Sequence, residues 1–187
     1  QEKNVDFENS EKSVRIEVNG GIAGIHQGRI YIEEGKEYNG SVWLKPEEGT
    51  ARISFRVKDA GGNVLTEEPL GVSGSEWQEC KFSFAASKTD EQASIEIAAS
   101  GEGIVLLDFI SLMRADVRSD GMFRPDLFQA LNDLKPAFIR WPGGSYASVY
   151  KWKDGIGPHV SRKYNPNEIW GGYADYYGFG TEEFMNL

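Results

Sequence analysis

Two adjacent carboxylates near the end of the chain are the first residues that could do acid–base chemistry. Glu182 and Glu183 follow Thr181, a residue type that caps helices, and acidic residues are favourable in the first turn of a helix. Neighbouring residues of a helix point in different directions, so these two carboxylates cannot flank one bond as a catalytic pair must. We therefore expect neither of them to be catalytic.

A glycine turn and a loop rich in aromatic residues form a second candidate for chemistry. Pro142-Gly143-Gly144 follows the apolar run 137–141, and its glycines would let a ligand approach the backbone closely. A plain tight turn explains them equally well. Trp170 and Tyr173 lie in a glycine-rich loop downstream, where their rings either line a sugar subsite or pack over a core. Both interpretations stay open for each feature.

Two aromatic residues of the first part, Tyr31 and Trp43, fall on the polar side of their strands. Two aromatic rings on the solvent-exposed face of a sheet are a candidate platform for stacking sugar rings, because exposed aromatic residues usually indicate an interaction site. Burial against another domain or under a loop is the alternative. Polar residues with the same parity accompany them: Arg29, Lys45, Arg52 and Arg56.

Histidine and cysteine offer no further site. His26 and His159 lack the spacing of a zinc site. Cys80 is the one cysteine, which excludes an intramolecular disulfide, and it shares the parity of Phe82 and Phe84. We therefore expect Cys80 to be a small buried residue.

The elements that must position these residues begin with a series of short strands. Apolar and polar residues alternate with period two over several runs, which indicates strands with one buried and one wet face. Glycine-rich breakers separate the runs, and the apolar run 104–112 is expected to be a closing strand. Many short strands at this spacing predict a jelly-roll sandwich. The breakers are Gly20-Gly21, Glu34-Gly35, Glu48-Gly49 and Gly61-Gly62-Asn63.

The pattern changes near residues 114–121, where we expect a linker. Pro125 then starts a helix that ends before Pro136, and 137–141 is expected to be a short apolar strand. The predicted fold class is therefore mainly β: a jelly-roll β-sandwich over residues 1–113, followed over residues 114–187 by an incomplete α/β piece of a (β/α)8 barrel.

Composition limits the partners. The formal net charge of −9 argues against nucleic acid and against an anionic membrane surface, whereas a neutral polysaccharide is compatible with it. No signal peptide or transmembrane run is visible. A signal can be removed in the mature protein, so its absence here does not exclude secretion. We expect a secreted or periplasmic location.

The second part of the sequence resembles the α-L-arabinofuranosidases of glycoside hydrolase family 51. The matching text runs from Ile110 to Leu187 and includes RPDLFQALNDLKPAFIRWPGGSY, YKWKDGIGP and NEIWGGYADYYGFGTEEF. Residues before Ile110 match more weakly and look like the family 4/9 carbohydrate-binding module that some members carry. Two departures are visible: the usual proline and threonine-phenylalanine are missing at 114–117, and Ser145 stands where the family has Asn or Cys.

The resemblance implies a retaining mechanism with two glutamates on barrel strands well downstream of the glycine turn. The sequence ends at Leu187, before either would come, so we expect this chain alone to be inactive. The resemblance also places Arg140 at the mouth of the barrel, where its charge would hold the catalytic carboxylates ionised. An ordinary ion pair at a strand end is the alternative.

Related modules also imply a structural calcium ion. Glu8 and Asp108 lie near the two ends of the predicted sandwich and could supply oxygen ligands, although a buried aspartate satisfied by backbone donors explains Asp108 as well. No other cofactor is expected.

The sequence therefore predicts a non-catalytic portion of an arabinofuranosidase that acts on arabinose-containing plant polysaccharides. Its partners would be a plant polysaccharide or arabino-oligosaccharide and the rest of the catalytic barrel, with carbohydrate binding by the sandwich. A stand-alone carbohydrate-binding protein and a purely structural module are the alternatives.

Overall fold

The first of two units holds the six longer strands of the described residues. A computed structural model describes residues 12–117, 123–171 and 173–187, and the chain divides between Ala115 and Asp116. The strands of the first unit all pair antiparallel with their neighbours. They are β1 (Val14–Ile32), β2 (Glu37–Gly49), β3 (Arg52–Lys58), β4 (Val64–Leu70), β5 (Gln78–Ala85) and β6 (Asp90–Arg114).

Two long strands, β1 and β6, run through both layers of this unit. The first half of β6 pairs with β3, its second half pairs with β2, and β1 pairs with β6 along both halves. One layer therefore has the order β4–β3–β6–β1 and the other β5–β2–β6–β1. Phe55 of β3 stacks on Phe82 of β5 at 3.9 Å between ring centroids, although these strands are not hydrogen-bonded neighbours. The layers thus face each other, which confirms the predicted sandwich.

Glycines bend the two long strands where they cross between the layers. Gly20 in β1 and Gly101 in β6 have φ angles of 76° and 94°, which a residue with a side chain rarely adopts. The register shifts beside Gly20, between Asn19 and Gly21. The expectation that Gly20-Gly21 ends a strand is therefore wrong. Residues 104–112 are likewise not a separate strand, because they form the second half of β6.

The core fills the space between the layers, as the alternation predicted. Ile53, Phe55 and Val57 of β3 are buried, and so are Cys80, Phe82 and Phe84 of β5, whereas the residues between them are not. Burying a large apolar side chain contributes about 1.5–3 kcal/mol, so these inner faces are the main source of the unit's stability.

The second unit is built from short elements. It contains α1 (Pro125–Leu134), 3-10 helices at Gly144–Ser148, Trp152–Gly155 and His159–Ser161, β7 (Asn165–Pro166), β8 (Ala174–Asp175) and α2 (Thr181–Asn186). Pro125 starts α1 as predicted, and the chain leaves the helix at Lys135 in a left-handed conformation. A helix also begins at Thr181, but its N-cap residue is Gly180. The Thr181 hydroxyl instead donates a hydrogen bond to the Trp152 carbonyl.

The predicted strand over residues 137–141 is absent. A parallel barrel strand receives its hydrogen bonds from neighbouring strands, and within the described residues of this unit β7 and β8 pair only with each other. Phe138 is accordingly 82% exposed and Ile139 49% exposed. Among the described residues, no helix has the length and apolar character needed to span a membrane.

Candidate functional site

Trp43 lies on the outer face of the layer that contains β2 and β5. Its neighbours along β2, Val42 and Leu44, are fully buried, so alternation turns the half-buried Trp43 ring outward. The register places it opposite Glu79 of β5 and Asp108 of β6. Residues directly opposite each other share a face, so the indole ring stands between two carboxylates. Sugar hydroxyls donate hydrogen bonds to carboxylates, and sugar rings stack on aromatic faces. Glu79 was not predicted from the sequence. It lies two residues before the polar Lys81, so alternation along the strand places both on the same outward face.

Tyr31 lies on the other outer face. It stands between Ile30 and the fully buried Ile32, which pair with β6 in the layer that contains β3. The Tyr31 side chain is 52% exposed. The structure therefore does not bring Tyr31 and Trp43 together in one platform.

An ion-pair network occupies the outer face of the layer that contains β3. Arg56 donates to Glu67 at 2.9 Å from Nε and to Glu96 at 3.5 Å from Nη1, and Lys58 also pairs with Glu96. The hydrogen bond from Arg56 lowers the pKa of Glu67. The Arg56 predicted near the aromatic platform is thus paired with carboxylates of its own face.

Asp108 is half-buried, and its Oδ1 accepts a hydrogen bond from the Phe109 amide at 2.7 Å. Burial raises the pKa of its carboxyl group, and that hydrogen bond only partly opposes the shift. Glu8, its predicted partner for calcium, lies outside the described residues. In the described part of the chain no three His, Cys, Asp or Glu residues are grouped as metal ligands. The calcium site stays a prediction.

In the second unit, the glycine turn leads into an aromatic cluster. Gly143 and Gly144 have φ angles of 81° and 55°, so this turn requires glycine. The 3-10 helix that follows carries Tyr146, whose ring lies 6.2 Å from that of Trp170 and 5.4 Å from that of Tyr150. The structure therefore brings the glycine turn and Trp170 together, with Tyr146 between them.

Trp170 is held by its backbone while its ring stays accessible. Its amide donates to Asn167 Oδ1 at 2.9 Å, and the residue is 52% exposed. Burial and the charge of Asp175 raise the pKa of Tyr146. The Tyr146 phenol therefore stays protonated and can donate a hydrogen bond. Tyr173 is 70% exposed and has no ring contact with the cluster.

Arg140 is exposed, and within the described residues no carboxylate pairs with it. The expected position at the end of a barrel strand is not formed, because 137–141 is not a strand. Its proposed contact with a catalytic carboxylate is therefore not visible in this chain and stays a prediction.

Glu182 and Glu183 are both engaged in structural contacts. Glu183 is buried and accepts hydrogen bonds from Arg162 at 2.7 and 2.8 Å, and Glu182 accepts one from the Gly157 amide at 2.8 Å. Burial would raise the pKa of Glu183, but the hydrogen bonds from Arg162 and Gly180 outweigh it and hold the pKa at about 2. A carboxylate held in its ionised form cannot serve as a general acid near neutral pH.

The geometry defines a β-sandwich with a tryptophan on a polar outer face, followed by a second unit with an accessible aromatic cluster. Residues 1–102 match the family described as "Carbohydrate binding domain", and residues 130–187 match the "Alpha-L-arabinofuranosidase 1 domain". The chain therefore belongs to the carbohydrate-binding domain family, and its second part is similar to the α-L-arabinofuranosidases of family 51, as the sequence predicted.

Individual relatives agree with the match to the arabinofuranosidase domain. The chain is 28% identical to α-L-arabinofuranosidase 1 of Arabidopsis thaliana, over 97% of this chain and 29% of the relative. It is 31% identical to an extracellular exo-α-L-arabinofuranosidase of Streptomyces chartreusis, over 88% of this chain and 22% of the relative. It is 45% identical to an intracellular exo-α-L-arabinofuranosidase of Bacteroides ovatus, over 39% of this chain and 14% of the relative.

A solved structure shares the fold. The arabinose-bound MgGH51 α-L-arabinofuranosidase superposes with a TM-score of 0.75 at 18% identity, covering 93% of this chain and 31% of that one. The chain thus spans less than a third of the length of each of these relatives.

Proposed function

We infer that this chain is a non-catalytic portion of an α-L-arabinofuranosidase, in which the sandwich binds arabinose-containing plant polysaccharide. The observation that carries the inference is the match of residues 130–187 to the arabinofuranosidase domain in the same chain as a carbohydrate-binding domain. Relatives that match over most of this chain are arabinofuranosidases by name. The rest of the catalytic barrel is the expected partner of the second unit.

The outer face around Trp43 supports carbohydrate binding by the sandwich. Glu79 and Asp108 flank the ring and would accept hydrogen bonds from hydroxyl groups on either side of a stacked sugar. Lys45 shares the parity of Trp43 and would donate a hydrogen bond. A ring edged by acceptors and a donor suits a neutral polyol, because each hydroxyl can both donate and accept.

The aromatic cluster of the second unit would form part of a pocket wall. Trp170 presents an accessible ring beside Tyr146, and the glycine turn next to them leaves room for a ligand near the backbone. Glu182 and Glu183 do not add catalysis, because each is bound within the unit. This supports a role in shaping a pocket and not in the bond-breaking step.

Secretion is the proposed location, because the Streptomyces relative is named as extracellular and polysaccharide is an extracellular substrate. The Bacteroides relative is named as intracellular, so location differs among relatives.

Calorimetry with the purified chain tests the proposal. Arabinoxylan and arabinan are expected to bind, whereas a charged glycan such as heparin is not, because the chain has a net charge of −9. The chain is expected not to release nitrophenol from an aryl arabinofuranoside. Turnover that a substitution within the chain abolishes would contradict the non-catalytic role. If the chain binds none of the arabinose-containing glycans, carbohydrate binding by the sandwich is contradicted, and a purely structural role is the remaining explanation.

A further inference from the structure

A cavity of about 330 Å³ opens into the core of the sandwich. Most of its lining is aliphatic, with five isoleucines and one leucine from β1 and β6: Ile25, Ile30, Ile95, Ile97, Ile110 and Leu112. His26, Gln27 and Glu96 complete the lining. Ile97 belongs to the buried core and Ile110 is 38% exposed, so the cavity leads from the core to the surface. Its volume is near the lower end of the range of about 300–1,000 Å³ typical of ligand pockets.

Gln27 is the polar residue on the inner face of β1 at this cavity. The register pairs Ile25 with Ile97 and Gln27 with Ile95, so Gln27 points to the same side as the aliphatic wall. Its neighbours in the inward pattern of β1 are apolar, namely Ala23, Ile25 and Ile30. The Gln27 side chain is exposed and makes no hydrogen bond within the described residues. It therefore offers an amide donor and acceptor at the mouth of an apolar cavity.

The residues that line the cavity determine which chemical class of ligand fits it. A sugar is unsuited, because most of its hydroxyl groups would face aliphatic side chains without partners. The one ring in the lining, that of His26, belongs to a residue that alternates with the inward-facing Ile25 and Gln27 and so is not placed for stacking inside the cavity. An anion is unsuited as well, since no lysine or arginine lines the cavity, and His26 lies opposite the carboxylate-bearing Glu96 in the register. Glu96 itself is already paired with Arg56 and Lys58. What remains is a neutral molecule with an apolar body.

We propose that this cavity binds a small neutral amphiphile, whose apolar ring or branched chain lies among the isoleucines while one polar group hydrogen-bonds to Gln27. Enclosed apolar cavities of about half this size take up benzene-sized molecules, so this cavity has room for such a ligand. This site is independent of the carbohydrate surface around Trp43, because it lies between the layers and not on an outer face.

Isoleucine-methyl NMR of the whole chain tests the proposal directly, because five isoleucines line the cavity. Titration with phenol should shift the methyl signals of Ile25, Ile30, Ile95, Ile97 and Ile110. The signals of Ile22, Ile53 and Ile104, which do not line it, should stay unchanged. Benzoate and arabinose should give no shifts at equal concentration. If phenol leaves the five signals unmoved up to millimolar concentrations, or shifts all isoleucines alike, the cavity is not a binding site.

Two substitutions separate the polar contact from the cavity itself. Gln27→Leu should weaken phenol binding by about fivefold, the effect of one hydrogen bond, and leave benzene binding within about twofold. Ile110→Trp should fill the mouth and abolish binding of both. Gln129→Leu in α1 is the matched control, with no expected effect. Equal loss of phenol and benzene binding in a folded Gln27→Leu variant would overturn the assignment of Gln27.

Discussion

Arg162 and Glu183 form a two-point ion pair inside the second unit, with Nη1–Oε2 and Nη2–Oε1 distances of 2.7 and 2.8 Å. Their side chains are 1% and 7% exposed. Arg162 also donates to the carbonyl oxygens of Gly157 and Tyr177, and Glu183 accepts from the Gly180 amide at the start of α2. The pair therefore ties α2 to two loops, and it commits Glu183 to structure.

Removing the charge of Glu183 should destabilise the second unit. Glu183→Gln removes the buried counter-charge of Arg162 and leaves it only the exposed carboxylate of Glu182 at 3.7 Å. Losing the buried partner of such a pair typically costs about 3 kcal/mol. Hydrogen exchange of the Phe184 and Leu187 amides, which are bonded within α2, reports the local effect. Glu182→Gln is the matched control: its carboxylate is 49% exposed and an amide oxygen can still accept from Gly157. Equal effects of the two substitutions would contradict the structural role of the pair.

The same pair predicts a dependence of stability on pH. The pKa of Glu183 is lowered from 4.5 to about 2, so the folded state releases this proton more easily than the unfolded state. The contribution of Glu183 is then fully present above about pH 5 and is lost as pH falls from 4.5 toward 2, to a total of about 3 kcal/mol. Exchange of the α2 amides at pH 6 and pH 3 measures it. Glu183→Gln should remove this part of the pH dependence, and an unchanged profile would contradict the assignment.

The sandwich was predictable from the sequence because its signal is local. The alternation of Ile53, Phe55 and Val57 with polar residues indicates which face of the strand is buried. This holds for any neighbouring strand with which β3 pairs. The glycines at the corners were misread for a physical reason: Gly20 permits both a turn that ends a strand and a bend within one. Only the pairing of β1 with β6 on both sides of the bend distinguishes the two cases.

The candidate site was less predictable, since it depends on contacts that sequence spacing does not encode. The alternation of polar and apolar residues places both Tyr31 and Trp43 on outward faces. It does not show to which layer of the sandwich each strand segment belongs. The apolar run 137–141 has the composition of a barrel strand, yet a strand forms only where neighbours supply the hydrogen bonds. The buried pair of Arg162 and Glu183 had no sequence signal, because both residue types are usually exposed.

Trp43→Ala should weaken the binding of arabinoxylan by about tenfold, which corresponds to ~1.4 kcal/mol. The reason is loss of the stacking surface between Glu79 and Asp108. Tyr31→Ala should change the affinity less than twofold, because Tyr31 lies on the opposite outer face. Trp152→Ala, which removes an exposed ring from the second unit, is the control. Calorimetry measures all three, and a larger loss with Tyr31→Ala than with Trp43→Ala would move the surface to the other layer.

Asp108→Asn distinguishes a calcium ligand from a carboxylate that is merely buried. The pKa of Asp108 is raised by burial, so its charge opposes folding near neutral pH when no cation is bound. In the presence of a chelator the substitution should therefore raise the Tm slightly. If Asp108 holds calcium, added calcium should raise the Tm of the original chain and leave that of Asp108→Asn unchanged. Glu79→Gln, an outward carboxylate on the same face, is the control.

The role of Arg140 can be tested in an arabinofuranosidase that contains this segment within its complete barrel. There, the resemblance places Arg140 beside a catalytic carboxylate, whose ionised form its permanent charge would stabilise. Arg140→Ala should then lower kcat by about a hundredfold, or ~2.7 kcal/mol of transition-state stabilisation. The loss should fall mainly on kcat, because the contact is to the catalytic group and not to a remote part of the sugar.

Two further variants make this test specific. Arg140→Lys should restore activity only in part, because a lysine offers a point charge and not a planar fork of donors. Arg124→Ala is the matched control, since Arg124 is an exposed arginine that pairs with Asp126 on α1, and kcat should stay near normal. The pH profile adds an independent reading: without Arg140 the acidic limb of kcat should move to higher pH, because the carboxylate loses the charge that lowers its pKa. A folded Arg140→Ala enzyme with near-normal kcat and an unshifted profile would show that Arg140 lies outside the pocket.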